Sequence, residues 1–450
     1  MSGVFVRLRG GTHAAKCTLF FTPLPALACR ASIQGGWSLA RPRCSTGPRR
    51  SLNSSTTPTA RTLASDYLCS TNTKDQFTAL EGRGFLEVQG VEAIKFLQGL
   101  TTNQLTKVER GGDGVFAAFL TAQGRVLFDV FIYPKNRGET FPHPTFIIEH
   151  DARQTADILL HLKRYKLRAK LTVTDVSSQY QAFQIWGPST THLWGTYLPP
   201  QIGAAGGRTL PQGAQLPRER FCDIGCKDPR HGDLGLRVVG EAGSLPPLPS
   251  TFAKVSSDDY KLRRILMGIP EGAEDFHSGI SLPLESNLDL MSGVDFRKGC
   301  YLGQELTIRT YHTGVTRKRI VPVQFLDKGD PVPSALTLDT SFSAPLPSPH
   351  SDIAVDPDTA AAASSSASTA TSPQAKTRRR RTPASVGQVR SSIYNVGLAL
   401  MRLDHFGTGD HAAATLVVAG GGGGGDGLIV QPFAPQWWPQ APAEESSHVA

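Results

Sequence analysis

The apolar pattern changes period several times between residues 78 and 190. "GFLEVQG" (84–90) reads as a short strand, and "VEAIKFLQGL" (91–100) as a helix with Val91, Ile94 and Leu97 on one face. "GVFAAFLTAQGRVLFDVFIYP" (114–134) holds two apolar, β-rich runs around Gln123 and Gly124, the pattern of a hairpin. "ADILLHLKRYKLRAKL" (156–171) is amphipathic, with Ile158, Leu162, Tyr165 and Ala169 on one side. Its five basic residues between Lys163 and Lys170 are expected on a solvated face. "LTVTDV" (171–176) and "YQAFQIWG" (180–187) return to strand patterning. Strands and helices mix without a regular βα alternation, which predicts an α+β fold rather than a doubly wound sheet.

Farther along, residues 199–217 are rich in Gly and Pro and are expected to form a loop. "SSDDYKLRRILMGIPEG" (256–272) carries helix signals at both ends: Ser256 or Ser257 at the start, Gly268 and Pro270 at the stop. "RKRIVPVQFL" (317–326) and "YNVGLALMRL" (394–403) read as strands of a smaller C-terminal β domain. Between them, 334–385 is a Ser/Ala/Pro-rich insert that ends close after "KTRRRR" (376–381). Its composition predicts disorder, because such a segment buries too little apolar area to order itself. The glycines 420–425 are expected to be a second flexible loop.

Charge changes the picture once it is located. Residues 1–65 hold nine of the chain's 47 Lys and Arg and no acid, which leaves 38 basic residues to match 38 acidic ones. The basic balance therefore belongs to the leader, and a nucleic-acid face is not expected. An Arg-rich, Ser/Thr-rich, acid-free start is the composition of a mitochondrial transit peptide, so 1–65 is read as leader and the matrix as the destination. A chloroplast peptide has a similar composition. The apolar stretch "CTLFFTPLPALA" contains two prolines and fits a secretory signal less well. No run of 18 apolar residues predicts a membrane span. The seven cysteines are odd in number and scattered, which suits a reducing compartment rather than a disulfide framework. "CDIGC" (Cys222, Cys226), with His231 following, lacks the second Cys pair of a metal site. No glycine-rich phosphate loop opens a helix.

One cysteine stands apart. In "DFRKGCYLGQELTIRTYHTG" (295–314), Cys300 sits outside any apolar periodic run, between Gly299 and Gly303. The glycines remove bulk around the sulfur, Lys298 is near enough in sequence to favour the thiolate, and a helix starting near Gly303 would add its dipole. Glu305 suits a helix start but opposes the thiolate. These features make Cys300 a candidate nucleophile or metal ligand. A single cysteine cannot hold a cluster alone, so a partner or a small thiol would complete its shell.

The stretch "PLESNLDLMSGVDFRKGCYLGQELTIRTYHTG" (283–314) resembles the signature of the YgfZ-type, folate-binding branch of the glycine-cleavage T-protein (aminomethyltransferase) superfamily. The pattern K-G-C-Y-x-G-Q-E is present as Lys298, Gly299, Cys300, Tyr301, Gly303, Gln304 and Glu305. "FLQGLTTNQL", "AQGRVLFDVFIYP" and "VGLALMR" are similar to the family at corresponding places. The resemblance implies a three-part ring around a tetrahydrofolate-like pocket, with a small C-terminal β-barrel. It divides the chain into a leader (1–65), a core (76–330), the insert (334–385) and the rest of the β domain (386–435). With a mitochondrial leader it implies an iron–sulfur cluster assembly factor, acting with A-type carrier proteins. The clients would be 4Fe–4S enzymes of the aconitase and radical-SAM kinds, lipoyl synthase among them. Cys300 would be the functional thiol and a transient ligand of a shared cluster. Lys298, Gly299, Tyr301, Gly303, Gln304, Glu305 and Arg309 would form its neighbourhood and the candidate folate contacts. Aminomethyltransferase relatives carry paired acids after a Gly-Gly turn, whereas here "GRVLFDV" offers Phe128 beside a single Asp129. An assembly factor is therefore expected rather than a turnover enzyme, with folate-dependent one-carbon transfer as the alternative.

Overall fold

The computed structural model describes residues 61–109, 111–135, 145–197, 222–356, 385–405, 415–419, 425 and 427–439. Residues 1–60 of the expected leader, the loop 199–217 and the arginine run 376–381 lie outside them.

The first described elements are β1 (Thr62–Leu63), α1 (Ala64–Asn72), β2 (Gln76–Leu80), β3 (Arg83–Gln89) and α2 (Ala93–Gln98). The expected hairpin follows as β4 (Val115–Leu120) and β5 (Val126–Pro134), and then β6 (Thr145–Asp151), α3 (Thr155–Lys166) and β7 (Thr172–Asp175). These strands form an antiparallel sheet in the order β4-β5-β6-β3-β7. One face of it takes Ile158 and Leu162 of α3 with Ala93 and Leu97 of α2. Val91, expected on the inner face, is 45% exposed; α2 starts two residues later and turns Ala93 inward instead.

A second sheet follows from β8 (Tyr180–Trp186), α4 (Thr190–Tyr197), β9 (Ile224–Lys227), β10 (Leu236–Glu241) and β11 (Ala253–Lys254). Its order is β11-β2-β8-β10-β9. Phe116, Phe131 and Tyr133 of the first sheet pack in one cluster with Ala182 and Trp186 of the second. The first sheet is thus buried on both faces, which is why β5 reads as an almost unbroken apolar run. Its residues 129, 131 and 133 share one face by strand alternation, so Asp129 points with Phe131 and Tyr133 toward the second sheet.

Helix α5 (Ser257–Leu266) begins in a capping box between Ser256 and Asp259 and stops before Gly268, at φ +73°. The short α6 (Gly272–Asp275) and α7 (Gln304–Thr313) lead into β12 (Lys318–Leu326). The remaining strands are β13 (Thr337–Leu338), β14 (Asp352–Val355), β15 (Ser385–Ile393), β16 (Val396–Arg402), β17 (Leu416–Val418) and β18 (Ile429–Pro432). A closed barrel runs β12-β16-β15-β14-β17-β18.

Two expected boundaries move. The insert 334–385 is ordered in its first part: β14 pairs with β15 and β17, and Ile353 is fully buried in the barrel core beside Val389 and Val418. Phe342, Ala344 and Leu346 also pack against that core. Composition hid this because the few apolar residues are spaced for one strand and its approach. Residues 357–384 lie outside the described set. At the other end, β1 pairs with β13, and Arg61 lies 3.1 Å from Asp330, so the fold begins before the expected leader ends at residue 65.

Candidate functional site

Three stretches that carry the resemblance converge around Cys300, which is exposed. The turn after α2 provides the floor. Thr102 donates its hydroxyl to the Gly293 carbonyl at 2.6 Å and accepts the Ala118 N–H at 2.8 Å. Asn103 donates to the carbonyls of Phe116 and Ser292, both at 2.8 Å. The Asp295 N–H reaches the Thr102 carbonyl, and the Leu302 N–H reaches the Gly99 carbonyl, each at 3.0 Å. "FLQGLTTNQL" therefore seats 292–302 through backbone and short polar side chains together.

The β4–β5 turn provides the second wall. Gly303 caps α7 at φ +79°, a conformation that favours glycine. A Cβ there would stand 2.2 Å from the Thr121 carbonyl oxygen, and one on Gly124 would stand 2.8 Å from the Gly303 oxygen. The two glycines let one turn lie directly on the other. Gln304 turns its side chain back to accept the Tyr301 N–H at 3.2 Å, which closes the loop before the helix. A Cβ on Gly299 would meet nothing within 4 Å, so the loop borders open space on that side.

Lys298 does not serve the thiol as the sequence suggests. Its ammonium is turned inward and donates to the carbonyls of Gln98, Thr101 and Asn103, above the Tyr301 ring at 4.7 Å. Burial lowers its pKa to about 8, against the opposing pull of Asp295. The lysine staples the cysteine loop to the floor, with its charge held by backbone oxygens. Tyr301 is buried, Gln304 is half-buried, and Glu305 and Arg309 are exposed on α7. No group of three or more His, Cys, Asp or Glu side chains among the described residues could hold a metal. Cys226 is buried in β9, and Cys222 is half-buried.

A second polar centre lies between the two sheets. Glu149 of β6 accepts Arg83 at 2.7 Å, Arg237 at 2.5 Å and the Tyr133 hydroxyl at 2.8 Å. Glu271 accepts Arg230 at 2.5 Å, Arg237 at 3.0 Å and the Tyr260 hydroxyl at 2.7 Å. Asp228 takes the other edge of Arg230 at 2.6 Å. The guanidiniums of Arg230 and Arg237 also lie 4.9 and 4.8 Å from the Phe131 ring centre. Burial alone would raise the Glu149 pKa, but Arg237 and Arg83 outweigh it and hold it at about 2. Asp129 differs: among the described residues it accepts only the Gly272 N–H, at 3.1 Å, and burial pushes its pKa up to about 6 despite the nearby Arg83. The Arg83 Nη2 is buried with no hydrogen-bond partner. These two groups, a sparsely hydrogen-bonded carboxylate and an orphaned guanidinium donor, are the ones this centre leaves short of partners; the other polar groups are spent on one another. Apart from Asp129, the sequence reading missed this network. Its signal was a lone charge inside apolar strand runs, as in "TFIIEH" and "LGLRVV".

The family described as "GCVT N-terminal domain" matches residues 78–199, and "CAF17, C-terminal beta-barrel domain" matches 317–440. The solved aminomethyltransferase T of the glycine cleavage system from Bartonella henselae superposes with a TM-score of 0.51. That match covers 83% of this chain and 89% of that one at 12% identity, a likeness of fold. Among curated proteins, the "Iron-sulfur cluster assembly factor IBA57 homolog, mitochondrial" of Mycosarcoma maydis is 33% identical over 88% of this chain and 90% of its own length. The protein of the same name from Cryptococcus neoformans is 34% identical over 72% of this chain and 83% of its own. The Neurospora crassa one is 40% identical over 58% and 56%. With a T-protein fold, a closed C-terminal barrel and this identity across nearly its whole length, the chain belongs to the family of mitochondrial iron–sulfur cluster assembly factors, the IBA57 homologues.

Proposed function

We propose that this chain is an assembly factor for 4Fe–4S proteins of the mitochondrial matrix, and that Cys300 is the ligand through which it shares a cluster with a partner. The observation that carries the reading is an exposed thiol on a loop that three separate segments hold in place. Thiolates are the protein ligands of iron–sulfur clusters, and one thiolate leaves the rest of the shell to a second molecule. The chain's own residues present the exposed sulfur: Gly303 and Gln304 fix the turn behind it, and Lys298 anchors the loop. A-type carriers fit as partners because they bring cluster and further thiolates; aconitase-type and radical-SAM enzymes fit as clients.

Tetrahydrofolate is the ligand that Asp129 and Arg83 would take between the sheets. When bound, it supplies an amine that accepts a one-carbon unit, and this supports folate-dependent aminomethyl transfer as the second reading. Against that reading stand the single Asp129 and the pairing of the surrounding charges with one another. The test is rescue of aconitase and lipoyl synthase activity in cells that lack the endogenous factor. Wild-type chain should restore both, and Cys300→Ser neither. Rescue by the serine variant, with aminomethyl transfer to folate by the purified chain, would favour the transferase.

A further inference from the structure

The C-terminal half of α3 and the turn after it form a surface that the cluster chemistry does not use. Ile158 and Leu162 bury the inner face of the helix. On the outer side two leucines face solvent: Leu160 is 68% exposed and Leu167 86% exposed. Leu167 occupies the helix C-cap at φ +47°, where the left-handed side of backbone space favours glycine. A bulky apolar residue is thus held outward at a position that glycine would fill without strain. Around these leucines lie Lys163, Arg164, Lys166, Arg168 and Lys170, with no acid from 158 to 174. Among the described residues, none of the five forms an ion pair with a carboxylate. Glu92 borders the patch and accepts the Lys170 backbone N–H at 2.6 Å, which brings Val91, 45% exposed, alongside.

The geometry points to a docking surface for an anionic phospholipid bilayer, with Leu160 and Leu167 inserted among the acyl chains and the five cations on the headgroups. The charge calls for an anionic partner, and the leucines choose among such partners. A nucleic acid would engage the cations and leave the two leucines in water, whereas a bilayer interface takes both.

The test is amide hydrogen exchange of the full chain with phosphatidylcholine vesicles, with and without an anionic phospholipid. Because the basic leader can itself bind anionic vesicles, the readout is local. Amides of 159–171 should slow with anionic vesicles and stay unchanged with neutral ones. The double variant Leu160→Ser/Leu167→Gly should lose that protection while melting at the same temperature or higher, since glycine relieves the backbone at 167. Lys163→Glu/Arg168→Glu should lose it as well. Protection that survives in the leucine variant would overturn the proposal. So would protection of 159–171 by a duplex RNA but by no vesicle, which would make the patch a polyanion site.

Discussion

Asp129 and Glu149 face the same core with opposite electrostatic signs, and replacing each by its amide separates them. Asp129 has its pKa raised by burial from 3.8 to about 6. Between those values the folded chain holds a proton that the unfolded chain has lost, so this group's contribution to stability falls as pH rises and the full cost is present above pH 6. Asp129→Asn removes the charge. The variant should gain up to about 3 kcal/mol over wild type at neutral pH, with about 1.3 kcal/mol of that gain appearing between about pH 5 and pH 7. Glu149 works the other way. Its pKa is held down near 2, so its stabilisation is complete above 4.5 and is lost as pH falls toward 2. Glu149→Gln leaves Arg83 and Arg237 facing a neutral amide and should cost about 3–5 kcal/mol at neutral pH. Urea unfolding followed by tryptophan fluorescence at several pH values measures both. An Asp129→Asn gain that does not grow with pH, or a net loss at neutral pH, would mean that the carboxylate is paired with Arg83 or Arg230 and the reasoning fails.

Other consequences are open to the same kind of measurement. Gly303→Ala adds a Cβ 2.2 Å from a backbone oxygen at φ +79° and should lower stability by at least about 2 kcal/mol, read by thermal melting; an unchanged melt would mean that α7 does not rest on the β4–β5 turn. Ile353→Ala opens the barrel core and should cost about 2–4 kcal/mol, whereas a neutral result would return 352–355 to the disordered insert. Lys298→Ala should speed amide exchange across 295–302 and reduce cluster transfer less than Cys300→Ser does; unchanged exchange would show that the lysine is not the staple.

Much of the architecture was legible because the patterns are local. The β4–β5 hairpin, α3, the capped α5 and strands β12 and β16 follow from periodicity, Gly/Pro punctuation and the Ser256 cap. Cys300 stood out because its loop lacks any apolar period, and the helix after Gly303 begins where the glycine predicts. What escaped was long-range. Lys298 adjoins the thiol in sequence, yet its side chain finds carbonyls about two hundred residues earlier. Arg83, Glu149, Arg237 and Glu271 come from four separate segments, and no window holds two of them. β14 hid in a stretch whose average composition reads as disorder, because one short strand with partners in β15 and β17 scarcely changes that average.

The central claim is that the Cys300 sulfur holds one corner of a cluster shared with a second protein. The most direct measurement mixes the chain anaerobically with an A-type carrier loaded with 2Fe–2S and follows the sulfur-to-iron absorption of the complex isolated by gel filtration. Wild-type chain should give a complex with a new absorption profile. Cys300→Ser, with an unchanged melting temperature and circular dichroism, should give no such complex. The same absorbing complex from the serine variant would show that the sulfur is not a ligand, and the loop would then have to be read as part of the folate-pocket wall, with Gln304, Glu305 and Arg309 as its working residues.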